Sequence, residues 1–148
     1  MKKMILRIMI GYIFLKDIIM AKVLIADDMI TVQHNLNLVL SSYGHEVVGM
    51  AKNCSEAIKI FKEKRPELVI LDILGMKAFD EDLGKEIDTF DTIQELLLIN
   101  KNVKIIVLTA SPKEEYIKKA LILGAKGFLV KGVSNDKIES TVQSILNK

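Results

Sequence analysis

The chain alternates short apolar runs with segments whose apolar residues recur at helical spacing. Five runs predict strands, at 22–26, 46–50, 68–71, 104–108 and 127–130. Their continuous apolar character is typical of strands buried on both faces of a parallel sheet. Alternation with helices predicts an α/β fold, a doubly wound five-stranded parallel sheet with helices on both faces. Right-handed crossovers favour the strand order 2-1-3-4-5.

Local signals mark one helix clearly and leave one stretch irregular. Pro112 fits the first turn of the helix after the fourth strand, and Gly124 fits its end. Residues 75–91 lack a regular pattern and are rich in acids. Because clustered acids offer little apolar area to bury, we expect 77–91 to be exposed and mobile, a loop with at most a short helical turn.

The first twenty residues differ from the rest, and we interpret 1–20 as an N-terminal extension of a domain at 21–148. Their longest uncharged run, 8–15, is far shorter than the ~20 residues that span a bilayer. Three interpretations stay open: an upstream start codon with the true start at Met20, a weak anchor that lies on a membrane surface through residues 1–19, or an ordered extra element. The first strand should not need this segment.

Composition favours one globular domain in a reducing compartment. The chain has 148 residues, half of them apolar, and a net charge of +2 that arises from the N-terminal extension. The remainder is close to neutral, so no basic face for nucleic acid is evident. The single cysteine, Cys54, excludes an internal disulfide, and we expect a cytoplasmic protein.

Polar residues follow four of the five predicted strands. They are Asp27 and Asp28, Asp72, Thr109 and Lys131. In an open parallel sheet the carboxyl ends of the strands share one edge, and ligands bind where the strand order reverses. The order 2-1-3-4-5 puts the first two acids beside Asp72 at that point. We therefore expect the active site at this edge.

The carboxylates at this edge indicate a divalent cation. Three of them repel one another and raise each other's pKa, which a cation relieves. All-oxygen ligands favour Mg²⁺ over zinc. With Mg²⁺ bound, Asp72 can act as a nucleophile on phosphorus, while Lys131 and the Thr109 hydroxyl bind the phosphoryl oxygens. The sequence has no glycine-rich nucleotide loop, so we do not expect a bound nucleotide as donor.

Four segments resemble the receiver domain of response regulators in two-component phosphorelay signalling. They are 24–28, 68–73, 105–110 and 127–131, in the family's order. The resemblance implies a flavodoxin-like fold. It also implies that Asp72 is the phosphoacceptor, loaded from a sensor histidine kinase or a histidine phosphotransfer protein.

The same resemblance implies how the metal is held. Asp28 and Asp72 would bind Mg²⁺ together with the backbone carbonyl of Leu74. Asp27 would act through a water molecule. No other cofactor is implied.

The resemblance further implies how the signal leaves the site. Thr109 and Lys131 would contact the phosphoryl group, and Phe128 matches the aromatic switch position. Because the Phe128 ring lacks a hydroxyl that prefers water, we expect its inward rotamer to be favoured even before phosphorylation. The face that changes, formed by 112–123, the fifth strand and the last helix, would dock a downstream protein whose identity the sequence does not give.

Two features depart from the family pattern. Gly132 stands where the family places a cis-proline after its lysine. A cis bond before a non-proline residue costs ~2.5–4 kcal/mol, so we expect a trans bond, and the direction of the Lys131 side chain stays open. The spacing from Asp72 to Thr109 is also longer than usual, because of an acidic insertion within 77–91. We hypothesise that the insertion affects partner choice rather than chemistry.

The main interpretation is a stand-alone signalling receiver, since the chain ends with the last predicted helix. Such a protein catalyses only its own phosphorylation and dephosphorylation. An alternative is a constitutive protein-interaction module that has lost phosphorylation, which the intact site residues argue against. A phosphatase with an aspartyl-phosphate intermediate would need a second Asp where Leu74 stands.

Overall fold

The computed structural model describes residues 2–5 and 18–148. In these ranges the predicted strands and helices alternate, and two further short strands follow the third predicted strand. In chain order they are β1 (Lys22–Ala26), α1 (Ile30–Ser42), β2 (Glu46–Ala51), α2 (Cys54–Lys64), β3 (Leu68–Asp72), β4 (Ala78–Asp80), β5 (Lys85–Ile87), α3 (Thr89–Ile99), β6 (Lys104–Thr109), α4 (Glu114–Ile122), β7 (Gly127–Val130) and α5 (Asn135–Leu146).

Five of the strands form one parallel sheet in the order β2-β1-β3-β6-β7. Without the two short strands β4 and β5 this is the predicted order 2-1-3-4-5, so the predicted fold class is confirmed. Asp72 pairs with Leu108, and Thr109 pairs with Val130. This register places the ends of neighbouring strands side by side at one edge.

Alternate side chains of the central strands fill two separate cores, because successive residues of a strand point to opposite faces. Val69 and Leu71 pack with Phe61 and with residues of α2, α3 and α4. Leu68 and Ile70 pack with residues of α1 and α5 on the other face. Each such buried side chain contributes ~1.5–3 kcal/mol, so the sheet that carries the site is held firmly from both sides.

The prediction of a loop at 77–91 is wrong, although most of these residues are exposed as predicted. β4 and β5 pair antiparallel as a hairpin. Asp80 is buried and accepts hydrogen bonds from the Ser55 hydroxyl at 3.0 Å and from the Leu83 backbone N–H at 2.9 Å. Ile87 is buried in the core beside α3. The hydrogen bonds of buried Asp80 and the packing of Ile87 thus hold this acidic segment against the domain.

The start of α4 also differs from the prediction. The helix begins at Glu114 after Lys113, so Pro112 precedes it rather than lying in its first turn. The Lys113 N–H donates to the Ser111 carbonyl at 2.8 Å, which closes a tight turn before the helix can start. Gly124 ends the helix as predicted, with a φ of +118°.

A buried polar network joins the segment before β1 to α5. The Gln143 side chain donates to the Ile19 carbonyl at 2.7 Å and accepts from the Ile19 N–H at 3.0 Å. The Ala21 N–H donates to His45 Nδ1 at 3.1 Å, so the other ring nitrogen carries the proton. That nitrogen, Nε2, donates to Glu139 at 2.8 Å.

Contacts with the domain therefore begin by Ile19, two residues before the predicted boundary at 21. Residues 1 and 6–17 lie outside the described residues, and the three interpretations of the extension stay open. Among the described residues, no helix is long and apolar enough to cross a membrane.

Candidate functional site

The structure brings the predicted polar residues together at the carboxyl edge of the sheet. Asp28, Asp72, Thr109 and Lys131 line one pocket of about 330 Å³. Asp27, the residue after β1, is buried next to it and contacts Lys131. Each side chain lies at or just beyond the end of its strand, so the parallel register alone accounts for the cluster.

The Lys131 ammonium lies between two of the carboxylates. Its Nζ is 2.9 Å from Asp27 Oδ2 and donates to Asp72 Oδ2 at 3.2 Å. A compact ammonium with three donors suits this bridging position. The site therefore contains a cation that offsets part of the carboxylate repulsion.

Gly132 does not misdirect Lys131. The described residues contain no cis peptide bond, so the bond before Gly132 is trans, as predicted. Gly132 has a φ of +90°, which glycine adopts readily and which the ring of proline forbids. With this left-handed residue after it, Lys131 contacts both Asp27 and Asp72, which answers the question that the sequence left open.

The acidic cluster fits a hard divalent cation. Asp27, Asp28 and Asp72 each offer an oxygen, and these oxygens lie within 4.8 Å of one another. Asp27 Oδ2 is buried and accepts no well-aligned hydrogen bond, although it lies 2.9 Å from the Lys131 ammonium. A buried oxygen with unused lone pairs beside two further carboxylates is suited to Mg²⁺ and its water ligands.

Burial dominates the electrostatics of Asp72. It raises the pKa of this carboxyl from 3.8 to about 6, and the negative charge of Asp27 adds to the rise. The charge and hydrogen bond of Lys131, and a hydrogen bond from the Leu74 backbone, oppose it. Burial lowers the pKa of Lys131, but its contacts with Asp27 and Asp72 outweigh burial and raise it, so the ammonium stays charged.

The two predicted switch residues occupy different environments. Thr109 is buried, and its hydroxyl donates to the Ser111 carbonyl at 2.6 Å. Phe128 lies on β7 with 41% of its surface exposed. The ring is therefore not buried in this state of the protein, and the expectation that its inward rotamer is comparatively favourable stays a prediction. The Thr109 hydroxyl is already hydrogen-bonded to the Ser111 carbonyl in this state.

The turn after β3 completes the pocket wall. Leu74 lines the pocket, and its backbone hydrogen-bonds to the Asp72 carboxylate. The role of the Leu74 carbonyl toward Mg²⁺ stays a prediction. Gly75 has a φ of +78°, and a Cβ there would lie 3.2 Å from Asp28 Oδ2. A side chain at this position would crowd the exposed metal-facing acid.

Sequence reasoning missed one residue next to the site. The Thr89 hydroxyl donates to the backbone carbonyl of Asp72 at 2.6 Å, although seventeen residues separate them. Thr89 follows the acidic stretch and has no motif of its own. It lies in the segment that we predicted as a loop, so no sequence signal indicated a contact with β3.

Comparison with known proteins identifies the family. A sequence model described as "Response regulator receiver domain" matches residues 23–143. The chemotaxis protein CheY of Treponema pallidum is 32% identical over 127 residues, which covers 84% of this chain and 82% of the relative. CheY of Thermotoga maritima is 31% identical over 124 residues, with 84% and 96% covered.

Solved structures agree with this similarity. A crystal structure of the CheX–CheY–BeF₃–Mg²⁺ complex from Borrelia burgdorferi matches with a TM-score of 0.75 and 29% identity, covering 86% of this chain and 90% of that one. Vibrio cholerae CheY4 matches with a TM-score of 0.73 and 26% identity, covering 86% and 99%. The chain belongs to the response regulator receiver domain family.

The raised pKa of Asp72 predicts how stability depends on pH without metal. Because folding raises this pKa to about 6, ionised Asp72 destabilises the fold, and its contribution to stability is lost as pH rises through about 6. Asp72→Asn should therefore be more stable than the parent by ~1–3 kcal/mol at about pH 8, and by much less at about pH 4.5. Urea unfolding in EDTA measures both differences.

Asp82→Asn is the matched control, because the Asp82 side chain is 86% exposed. It should show no such dependence on pH. An Asp72→Asn variant that is less stable than the parent at about pH 8 would contradict the prediction.

Proposed function

We propose that this receiver accepts a phosphoryl group on Asp72 from the phosphohistidine of a sensor histidine kinase or a histidine phosphotransfer protein, and that the product switches a protein-binding face. One observation carries the proposal. Lys131 Nζ lies 3.2 Å from the Asp72 carboxylate, within a pocket that also gathers Asp28 and Thr109. The pocket thus brings together the proposed nucleophile, a metal ligand, a cation and a hydroxyl donor.

The transfer step needs little covalent help from the protein. An Asp72 oxygen attacks phosphorus while the bond from phosphorus to the imidazole nitrogen breaks. The electron pair of that bond goes to the imidazole, which already holds a proton on its other nitrogen and leaves as neutral histidine. The protein contributes mainly position and charge neutralisation, which dominate phosphoryl transfer.

Each site residue has a distinct part in this step. Asp28 and Asp72, with the Leu74 carbonyl, would hold Mg²⁺ directly, and Asp27 would hold it through water. Mg²⁺ supplies positive charge that keeps Asp72 ionised near neutral pH and neutralises the phosphoryl oxygens. Lys131 lies close enough to pass from the carboxylate to an incoming phosphoryl oxygen.

The switch follows from a change of partner at Thr109. Its hydroxyl now donates to the Ser111 carbonyl at 2.6 Å. A phosphoryl group on Asp72 offers strong acceptor oxygens in the same pocket, so the hydroxyl would turn toward it. That movement frees space next to β7, and the half-exposed Phe128 ring would turn inward. Phosphorylation thereby shifts an existing equilibrium between two arrangements.

The alternative of a constitutive interaction module has lost its main support. That support would be a disturbance of the site by the acidic insertion within 77–91 or by Gly132. Lys131 nevertheless contacts both Asp27 and Asp72, and the altered segment forms a hairpin outside the pocket. A functional phosphorylation site is the simpler account of this geometry.

Phosphorylation by a small donor tests the proposal. We expect the protein to gain the mass of one phosphoryl group in Mg²⁺ and acetyl phosphate, by intact-mass spectrometry. Asp72→Asn should abolish the gain, because an amide is a poor nucleophile. Asp28→Ala should slow it at least ~10-fold by removing a metal ligand, with the fold kept.

Asp82→Asn serves again as the control and should react at the parental rate, because the Asp82 side chain is exposed and lies outside the pocket. Uptake by Asp72→Asn at the parental rate would show that another residue is the acceptor.

The switch is tested by NMR of the free protein and of its complex with Mg²⁺ and beryllofluoride, which mimics a bound phosphoryl group. Switching predicts large shifts at Thr109 and Phe128 and along α4. Shifts confined to the residues that surround the metal would reject the switch while leaving phosphorylation intact.

A further inference from the structure

The peptide unit that follows the phosphoacceptor is held from both sides. Its carbonyl, that of Asp72, accepts a hydrogen bond from the Thr89 hydroxyl at 2.6 Å. Its N–H, that of Ile73, donates to the Leu108 carbonyl on β6 at 2.9 Å. With both polar groups bonded, this peptide plane cannot tilt about the strand axis.

The orientation of this plane affects the chemistry on both sides of it. The Asp72 side chain leaves the backbone just before the plane, and its carboxylate contacts Lys131. The Leu74 backbone lies just after the plane and hydrogen-bonds back to the same carboxylate. A tilt would therefore move the nucleophile, and it would also move the carbonyl that we expect to bind Mg²⁺.

Thr89 is itself fixed by neighbours that make no contact with the pocket. It is buried at the first position of α3, and Asp88 and Asp91 form a reciprocal capping box at that helix start. Ile87, the last residue of the hairpin, is buried in the core directly before it. The position of the Thr89 hydroxyl is thus set by the capped start of α3 and by the buried end of the hairpin.

We propose that Thr89 is a positioning residue for Asp72, and that it couples the inserted hairpin to the phosphorylation site. The hydroxyl fixes the peptide after Asp72, which sets the direction of the carboxylate and of the turn at Leu74. Its effect on phosphorylation rests on the proposed function, whereas its effect on Mg²⁺ binding does not. The insertion, on this account, affects chemistry as well as any choice of partner.

Removal of the hydroxyl at constant shape tests the proposal. Thr89→Val should weaken Mg²⁺ binding about three- to tenfold, and it should slow phosphorylation by acetyl phosphate by a similar factor. Thr89→Ser keeps the hydroxyl and should stay within about twofold of the parent in both measurements. Isothermal titration of the unphosphorylated protein gives the Mg²⁺ affinity, and amide NMR should show the largest shifts at Ile73 and Leu74.

Thr92→Val is the matched control, because Thr92 is an equally buried threonine of α3 whose hydroxyl donates to the Asp88 carbonyl at 2.8 Å, away from the pocket. It should leave Mg²⁺ affinity within about twofold of the parent. If Thr89→Val does not fold, Thr89→Ala compared with Thr89→Ser isolates the hydroxyl at nearly constant size.

The possible results separate the two proposals. Parental Mg²⁺ affinity in folded Thr89→Val, equal damage from Thr92→Val, or failure of Thr89→Ser to restore binding would each overturn the positioning role. A parent that binds Mg²⁺ but takes up no phosphoryl group would overturn the proposed function alone. The Mg²⁺ affinities would still decide the role of Thr89.

Discussion

Charge repulsion at the carboxyl edge of the sheet is the constraint on which the rest of this structure depends. The parallel register forces Asp27, Asp28 and Asp72 together, with oxygens within 4.8 Å of one another. Lys131 neutralises part of this charge, yet burial, together with the negative charge of Asp27, still raises the pKa of Asp72 to about 6. Mg²⁺ would relieve the repulsion that remains between the carboxylates, and its positive charge would then offset the negative charge that a phosphoryl group brings.

The fold tolerates this repulsion because the sheet beneath it is buried on both faces. Side chains such as Leu71 and Ile70 pack into separate cores on opposite sides, so the strand ends cannot move apart. Two hydrogen bonds add local rigidity at Asp72. Thr89 donates to the Asp72 carbonyl, and Lys131 donates to the Asp72 carboxylate. The stability of the apolar layers thus maintains an arrangement that the acids alone would disrupt.

The sequence predicted the large-scale features well, because each depends on long or repeated signals. Continuous apolar runs fixed the strands, and polar residues directly after those runs located Asp72 and Lys131. The hairpin escaped prediction because its strands have three residues each, too few to show a period. The buried bonds of Asp80 to Ser55 and of Thr89 to Asp72 join residues distant in sequence, for which no local pattern exists. The bond from the Thr109 hydroxyl to the Ser111 carbonyl is likewise visible only in the structure.

The central claim is that Asp72, among the three clustered acids, accepts the phosphoryl group from histidine. The most direct measurement incubates the protein with a phosphorylated histidine kinase in Mg²⁺ and traps the acyl phosphate with borohydride. This reagent converts a phosphorylated aspartate into homoserine, which peptide mass spectrometry locates in the chain. The account predicts homoserine at position 72 and no conversion at Asp27 or Asp28. Homoserine at either of those positions, or none at all while the kinase remains phosphorylated, would contradict it.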